Sequence, residues 1–399
     1  MRSNTLTLGC GLHQRYLALV LCSIIWFTHN FISNSLSILL PLVTKEFSLS
    51  YSETGILITA SLLVFALMQL PTGHFAVRIG YKRILVFGIA FLSTFNILVA
   101  IAANYLQFFV FHMFRAVGSG CHLTVGTAFI SNLFEAHERG KAIGTHESAV
   151  SLAGLVSPIV TLPLALLFDW RSTYLIYGSL GLVVAAVAWI FLPHTEISEE
   201  SGPSKSGFEQ GGFNAKLLVL LLIMTIHAFV FHAISAFLPL YLSTEKGIAL
   251  VYLGYYVAIP SLLGLVGRPL GGYMSDKIGR RSMTLVSLAS LALGIFLVVL
   301  TPGAPWLVLA LAALGFGLHT VIPVLFAFLM DLFSPQKRAL LAGRINAVRH
   351  LIAGFSPTVV GAIADYTSFS VAFLVLAFAA LANFFVTLKT REERSTSIT

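Results

Sequence analysis

The stretch Gly272-Tyr273-Met274-Ser275-Asp276-Lys277-Ile278-Gly279-Arg280-Arg281 forms a short polar loop between two apolar runs, residues 250–272 and 283–301. Each run is long enough to cross the roughly 30 Å of hydrocarbon in a bilayer as a helix. Glycine tolerates backbone conformations that other residues avoid, so the two glycines of the loop permit a tight turn. The stretch therefore predicts two consecutive membrane helices joined by a short connection.

Ten further apolar runs of similar length surround this pair. The chain is 57% hydrophobic and only 10% charged, whereas a soluble domain carries about 25% charged residues. Lipid must therefore be its solvent, and the fold class is an all-α polytopic membrane protein. The twelve predicted spans are residues 17–43, 54–73, 84–103, 106–132, 142–165, 172–192, 216–241, 250–272, 283–301, 305–331, 342–364 and 370–388.

A polar segment rich in Ser and Gly, residues 194–215, separates the first six spans from the last six. We interpret it as a cytoplasmic linker between an N-terminal half, residues 1–193, and a C-terminal half, residues 216–399. Most Lys and Arg residues lie in loops on the side of this linker. The positive-inside rule then places both termini in the cytoplasm, with the chain in the plasma membrane as a multi-pass protein. The net charge of +8 is spread over these loops and does not form a nucleic-acid stripe.

The two halves repeat each other with a constant offset of 199 positions (for example 272 − 73). A single register that recurs at separate places indicates a duplicated bundle. Such bundles hold their substrate near the middle of the membrane, between the halves. The matched pairs are Gly73 and Gly272, Gly80 and Gly279, Leu133-Phe134 and Leu332-Phe333, Arg139 and Arg338, Gly144 and Gly343, and Ser157-Pro158 and Ser356-Pro357.

The signature loop, residues 272–281, resembles the cytoplasmic G-x-x-x-D-(R/K)-x-G-(R/K)-(R/K) motif of the major facilitator superfamily. The resemblance implies twelve helices in two pseudo-symmetric six-helix bundles. It also implies a secondary transporter that works by alternating access, for which one chain suffices as a monomer. The segment from His29-Asn30-Phe31 to Leu40-Pro41-Leu42 is similar to bacterial drug and fosmidomycin exporters.

Only part of the signature loop is present in the first half, where Val77 replaces the acid and Tyr81 replaces the first basic residue of the pair. Asp331 ends the tenth span, and its counterpart in the first half is Asn132. We therefore hypothesise an Arg280–Asp331 latch in the second half and no equivalent in the first. The residues assigned to this conformational latch are Gly272, Asp276, Gly279, Arg280, Arg281, Asp331, Gly73, Arg78 and Gly80.

Ionisable residues within membrane spans are costly and are therefore candidates for function. Arg115 lies near the middle of the fourth span, and His122 follows it by seven residues, which in one helix places both on the same face. In the resembled family the first, fourth, seventh and tenth spans line the cavity. The predicted substrate contacts are Arg115, His122, His29, His227, His319, Arg349 and Trp26, and the predicted proton-coupling residues are Glu147, His122 and His232.

Each of these residues also has a structural interpretation. A histidine in a span often only bonds a neighbouring helix, and Glu147 is equally suited to pairing with Arg344 or Arg349. Arg115 is the strongest candidate for function because a guanidinium cannot lose its proton in a protein. Cys10, Cys22 and Cys121 form no CxxC or CxxxH motif, which argues against a disulfide framework or a zinc site, and neither a metal nor a cofactor is expected.

The sequence thus favours a secondary transporter for a small organic solute, with a lean toward anions and toward proton coupling. No ATP-binding lysine loop is present. The alternatives that stay open are a drug-type efflux antiporter for amphiphilic compounds and a receptor or scaffold that no longer transports. An enzyme is not expected, because no HExxH, GxSxG or HxxxD set falls within a span.

Overall fold

A computed structural model describes residues 12–193, 215–303, 305–331, 345–346 and 348–390, and it describes side chains over these ranges except at 12–13, 136–137, 215–216 and 330–331. Most of the described residues are helical, and there is no strand among them. The helices are α1 (Leu12–Phe47), α2 (Tyr51–Ile79), α3 (Tyr81–Ala100), α4 (Tyr105–Ser119), α5 (Leu123–Leu133), α6 (Ala136–Leu167), α7 (Trp170–Phe191), α8 (Ala215–Thr244), α9 (Leu250–Ile278), α10 (Arg280–Leu300), α11 (Trp306–Asp331), α12 (Ser356–Tyr366) and α13 (Phe369–Leu388).

Ten helices in the described ranges are long and apolar enough to cross a membrane. The fourth predicted span, residues 106–132, is not one helix as expected: α4 ends at Ser119 and α5 begins at Leu123. Gly118 and Gly120 weaken the helix at this place. Gly118 also lets α4 pack directly on α3, since a Cβ there would lie 2.5 Å from the backbone nitrogen of Leu92.

The chain forms two compact units. The first unit comprises Met1–Ser33, Leu67–Ala153 and Arg171–Lys205, and the second comprises Asn34–Ala66, Gly154–Trp170 and Ser206–Thr399. The boundary between the predicted halves stays a prediction, because most of the linker, residues 194–214, lies outside the described residues.

The internal repeat is visible in the backbone at the two loop glycines. Gly80 joins α2 to α3 with φ of 99°, and Gly279 joins α9 to α10 with φ of 96°. A side chain with a Cβ rarely adopts this conformation. The two turns are therefore built in the same way, at positions 199 residues apart, and both need glycine.

The second unit contains a pair of close helix contacts that obey the same offset. A Cβ on Gly55 of α2 would lie 2.4 Å from the carbonyl oxygen of Pro357 in α12, and a Cβ on Gly254 of α9 would lie 2.4 Å from the carbonyl oxygen of Pro158 in α6. Small residues allow helices to approach this closely in a membrane protein. Each contact joins a helix of the first sequence repeat to a helix of the second. Both contacts lie near the N-terminal ends of α2 and α9, whereas the glycine turns follow the C-terminal ends of these helices.

Polar bonds reinforce the α2–α12 contact. The backbone N–H groups of Tyr51 and Ser52, at the start of α2, donate to the carboxylate of Asp365 at 2.9 and 2.8 Å. Thr358 donates to the hydroxyl of Thr59 at 2.8 Å. The positions related by the repeat are all apolar: Leu166, Val251, Ile159 and Ala258. The α2–α12 contact is therefore held by polar groups that do not recur at the positions related by the repeat.

Asp365 is exposed and lies beyond the predicted eleventh span. Partial desolvation alone would raise the pKa of its carboxyl, but hydrogen bonds from Ser52, Tyr51 and Ser50 hold the pKa below its ordinary value. The carboxylate also lies at the N-terminus of α2, where the helix dipole favours a negative charge.

Candidate functional site

Arg115 lies inside the first unit, 5% exposed, near the end of α4. Its Nη1 donates to the carbonyl oxygen of Ile32 at 3.3 Å and to Oδ1 of Asn96 at 3.2 Å. Asn96 in turn donates to the carbonyl oxygen of Tyr174 at 2.7 Å. Arg115 therefore cross-links α1 and α3 through neutral acceptors. Its predicted role as a substrate contact stays a prediction.

Four nearly parallel rings form a stack in the first unit, which we name the aromatic stack: Trp26, His29, His122 and His146. The Trp26 ring lies 4.8 Å from His29 and 4.6 Å from His122, with interplanar angles of 14° and 10°. His146 lies 5.4 Å from His122. The structure thus brings together three predicted residues from α1 and the α4–α5 turn, and it adds His146 of α6.

The break between α4 and α5 explains the position of His122. It is the last of the three turn residues between α4 and α5, so the seven-residue spacing from Arg115 no longer fixes a shared face. His319, which like His122 follows a Gly-x-Gly pair, lies within the unbroken helix α11. The two histidines therefore do not occupy equivalent places.

A second polar cluster lies in the second unit and centres on Arg349. The Nη2 of Arg349 donates to Oδ1 of Asn346 at 2.8 Å and to Nε2 of His350 at 2.9 Å. His350 Nδ1 lies 3.0 Å from Nε2 of His232. Because arginine only donates, His350 accepts at Nε2, and a neutral His350 then carries its proton on Nδ1 and donates it to His232. We name this chain of bonds the Arg349 relay.

The remaining predicted histidines bond to neighbouring helices. His227 lies 3.0 Å from the carbonyl oxygen of Leu318 through Nε2. Arg268 lies 3.2 Å from Nδ1 of His319, and the His319 ring rests against Gly264, where a Cβ would be 2.5 Å away. Arg268 thus fixes the orientation of a predicted site histidine.

In the signature loop, Arg280 pairs with Asp276 at 2.5 Å and donates to the hydroxyl of Ser275 at 2.6 Å. Arg281 donates to the carbonyl oxygen of Leu388 at 2.5 Å, so this cation binds the C-terminal end of α13. The side chain of Asp331 lies outside the described residues, and the Arg280–Asp331 latch stays a hypothesis.

The first half has a contact between neutral side chains at the corresponding place. Asn132 donates to the hydroxyl of Tyr81 at 3.1 Å. These residues occupy the positions of Asp331 and Arg280 in the repeat. A hydrogen bond between neutral groups therefore replaces the hypothesised ion pair. Arg78 of the first-half loop is exposed, and a Cβ on Gly73 or on Gly272 would meet nothing within 4 Å.

Several residues of these clusters escaped prediction from the sequence. Glu147 was singled out on α6, and it is half-buried, but its neighbour His146 joins the aromatic stack. Arg344, the proposed alternative partner of Glu147, lies outside the described residues. Asn96, which accepts a hydrogen bond from Arg115, belongs to no sequence motif. His350 directly follows Arg349 in the sequence, and this adjacency was the feature that could have indicated its place in the cluster.

The chain matches the family model of the Major Facilitator Superfamily over residues 20–318 and 220–398. It is 24% identical over 369 residues to a probable L-galactonate transporter of Escherichia coli, covering 86% of this chain and 82% of the relative. It is 25% identical over 384 residues to a probable sulfoacetate transporter of Cupriavidus necator, covering 88% and 89%.

Among solved structures, the fold resembles a bacterial homologue of the human lysosomal transporter Spinster, in an inward-facing and occupied conformation. The TM-score is 0.78 with 18% identity, over 95% of each chain. At this identity the likeness shows the fold alone, which is the predicted arrangement of twelve helices in two six-helix bundles. The prediction of a transporter rather than an enzyme is likewise confirmed by the family match. The chain therefore belongs to the major facilitator superfamily of membrane transporters.

Proposed function

We propose that this protein is a proton-coupled secondary transporter of a small organic anion. It works as a monomer, by alternating access, in the plasma membrane with both termini in the cytoplasm. The observation that carries the proposal is the state of Arg349, a buried guanidinium with an unused donor.

Arg349 is 6% exposed. Among the residues that the structure describes, no carboxylate lies within ion-pair distance of it, and its Nε–H has no hydrogen-bond partner. A guanidinium keeps its charge in a protein, so burial without a counter-charge is costly. A substrate carboxylate or sulfonate would supply both the charge and the acceptor.

The guanidinium is already oriented for this task. Asn346 and His350 hold Nη2, and the cation lies 5.6 Å from the centre of the Phe326 ring. A planar guanidinium fixed in this way binds an oxyanion with defined geometry, which a lysine does not reproduce. Arg115 adds a second buried cation, in the first unit, with neutral partners only in the described part of the chain.

The names of two relatives agree with an anionic substrate. L-galactonate is a sugar acid, and sulfoacetate carries both a sulfonate and a carboxylate. The two relatives differ in substrate, so the shared chemistry is the oxyanion. This supports the anion class and leaves the particular compound open to experiment.

The Arg349 relay supports the proposal of proton coupling. An anion bound to Arg349 would offset the positive charge beside His350 and His232, and a nearby negative charge favours the imidazolium form of histidine. Substrate binding and proton uptake would then assist each other. Replacing His232 or His350 with Asn should abolish anion-induced proton uptake while the protein stays folded.

The test is thermal stabilisation of purified protein by organic anions, organic cations and neutral metabolites at pH 5.5 and 7.5. Wild type is compared with Arg349→Gln, Arg349→Lys and Arg115→Gln, and Arg83→Gln at an exposed position of α3 is the control. We expect an anion to stabilise wild type and the control, with affinity at least about 10-fold weaker in Arg349→Gln, as for loss of a charge-assisted bond.

Two outcomes would overturn the proposal. Stabilisation only by cationic or neutral amphiphiles, unchanged in the arginine variants, would indicate drug-type export. No stabilisation by any compound, together with no flux in proteoliposomes, would favour a receptor or scaffold that has lost transport.

A further inference from the structure

Three side chains with metal-binding atoms meet in the first unit, next to the aromatic stack. They are Cys22 of α1, His122 at the start of α5 and His146 of α6. One ligand atom from each lies within 4.8 Å of the other two. The three side chains are 0%, 3% and 1% exposed. A thiol and two imidazoles thus converge on one buried point from three different helices.

The imidazoles present ring nitrogens that the surrounding protein leaves unused. Within the described part of the chain, neither nitrogen of His122 has a hydrogen-bond partner, and Nε2 of His146 has none. A buried polar atom without a partner costs about 1–3 kcal/mol. His146 Nδ1 lies 3.5 Å from the hydroxyl of Ser23. This contact leaves Nε2 as the ring nitrogen of His146 without a hydrogen-bond partner in the described residues. An imidazole that binds a metal through one nitrogen commonly bonds a neighbouring oxygen through the other.

The separations are compatible with one ion after small side-chain rotations. In a tetrahedral zinc site the metal lies about 2.3 Å from sulfur and about 2.0–2.1 Å from nitrogen, so its ligand atoms are roughly 3.3–3.6 Å apart. The three ligand atoms of this site lie within 4.8 Å of one another. Each pair must therefore approach by at most about 1.5 Å to reach the distances of a zinc site. The Trp26 ring, stacked 4.6 Å from His122, keeps the imidazole plane in place during this movement.

We propose that Cys22, His122 and His146 bind a thiophilic metal ion, Cu⁺ or Zn²⁺. Sulfur and imidazole donors select these ions over Mg²⁺ and Ca²⁺, which prefer oxygen. The thiol proton is released to solvent as the metal binds. One thiolate then neutralises Cu⁺ fully but leaves a net charge of +1 with Zn²⁺. Net charge is penalised at a buried site, so charge balance favours Cu⁺.

A bound ion would join α1, α5 and α6 at one point. It would fix the position of His122, whose ring lies against α5. The Nε2 of His122 is 2.8 Å from the position that a Cβ on Gly126 would occupy. In the described residues neither ring nitrogen has a hydrogen-bond partner. This consequence does not depend on an anionic substrate. The site would respond to metal in the purified protein even if the transport proposal failed.

The experiment measures metal binding to tag-free protein in detergent, with Cu⁺ under anaerobic reducing conditions and with Zn²⁺ in parallel. Bound metal per chain is measured by mass spectrometry, and affinity is measured by competition with a chromogenic chelator. Cys22→Ser and His146→Asn are the test variants. Their matched controls are Cys121→Ser, a second buried cysteine, and His112→Asn, a buried histidine bonded to Phe108 and Tyr174.

We expect about one ion per wild-type chain and quenching of Trp26 fluorescence on binding. Losing a direct ligand should weaken binding by more than the roughly 10–100-fold that loss of an outer partner costs. The two control variants should bind as wild type does. Tighter binding of Cu⁺ than of Zn²⁺ would agree with the charge argument.

Sub-stoichiometric binding by wild type, or equal loss of binding in Cys22→Ser and Cys121→Ser, would overturn the proposal. X-ray absorption on loaded wild type gives a test that needs no variant. We expect one sulfur and two nitrogen scatterers, and a spectrum without sulfur would exclude Cys22 as a ligand.

Discussion

Replacing Gly55 with Ala tests the close contact between α2 and α12. The added Cβ would lie 2.4 Å from the carbonyl oxygen of Pro357 and 2.9 Å from the Cα of Thr358. An ordinary contact needs at least 3.4 Å. Both obstacles are backbone atoms, so no side-chain rotation relieves the clash, and the two helices must separate by about 1 Å to reach that distance.

Two opposing effects set the magnitude. Overpacking of this kind costs about 1–3 kcal/mol. Replacing Gly with Ala inside a helix stabilises the folded state by up to about 1 kcal/mol. Separation of the helices would also lengthen the bonds from Tyr51 and Ser52 to Asp365. We therefore expect a net loss of about 1–2 kcal/mol, or a fall of several degrees in the unfolding temperature, at roughly 2–4 °C per kcal/mol.

The assay is thermal unfolding of purified protein in detergent. Gly73→Ala is the matched control because it lies on the same helix with nothing within 4 Å of the new Cβ. It should leave the unfolding temperature unchanged or raise it slightly. Gly254→Ala and Gly272→Ala repeat the comparison on α9. Equal unfolding temperatures for Gly55→Ala and Gly73→Ala would refute the contact.

Three further predictions concern charge, turn geometry and the latch. Asp365→Asn should lower stability at neutral pH by about 1 kcal/mol, as loss of a helix cap does. Because the pKa of Asp365 is lowered in the folded state, its contribution is present above the ordinary carboxyl pKa of about 3.9 and is lost as pH falls through the lower folded pKa. The difference in unfolding temperature between wild type and variant should therefore be constant from pH 7 to 5 and shrink below about pH 4, and a difference that shrinks already by pH 5 would contradict this assignment. Gly279→Ala should lower the free energy of unfolding by about 1–3 kcal/mol, because a φ of 96° strains any residue with a Cβ. An unfolding temperature equal to that of Gly272→Ala would show that the turn tolerates a side chain. Asp331→Asn should shift the balance of inward and outward states in a cysteine crosslinking assay if it pairs with Arg280, whereas Asn132→Ala should have a smaller effect because Asn132 makes a neutral bond to Tyr81. An unchanged balance in Asp331→Asn would rule out the latch.

Most of the fold could be predicted from the sequence because lipid acts on every span locally. A run of about 20 apolar residues must be helical wherever it crosses a bilayer. The offset of 199 then identified the duplicated bundles, and it recurs at Gly80 and Gly279, whose backbone conformations match. The break between α4 and α5 was missed, because hydropathy over a span is insensitive to a three-residue turn at Gly120, Cys121 and His122.

The candidate sites were predicted residue by residue but not as groups. The sequence marked Arg349, His122, His29 and Trp26, since a polar or amphipathic side chain in a membrane span needs a partner. It did not show that His350 would link Arg349 to His232, which is more than 100 positions away. It also argued against a zinc site, because the three cysteines form no CxxC or CxxxH motif.

Sequence alone determined which segments enter the membrane, how they repeat, and which buried side chains carry charge or bind protons. These properties depend on the identity of each residue and its immediate neighbours. Only the tertiary structure decided which of those side chains meet, because the helices bring together residues that are far apart along the chain. Arg115 thus meets Asn96 and Ile32, Arg349 keeps an unused donor, and a thiol meets two imidazoles.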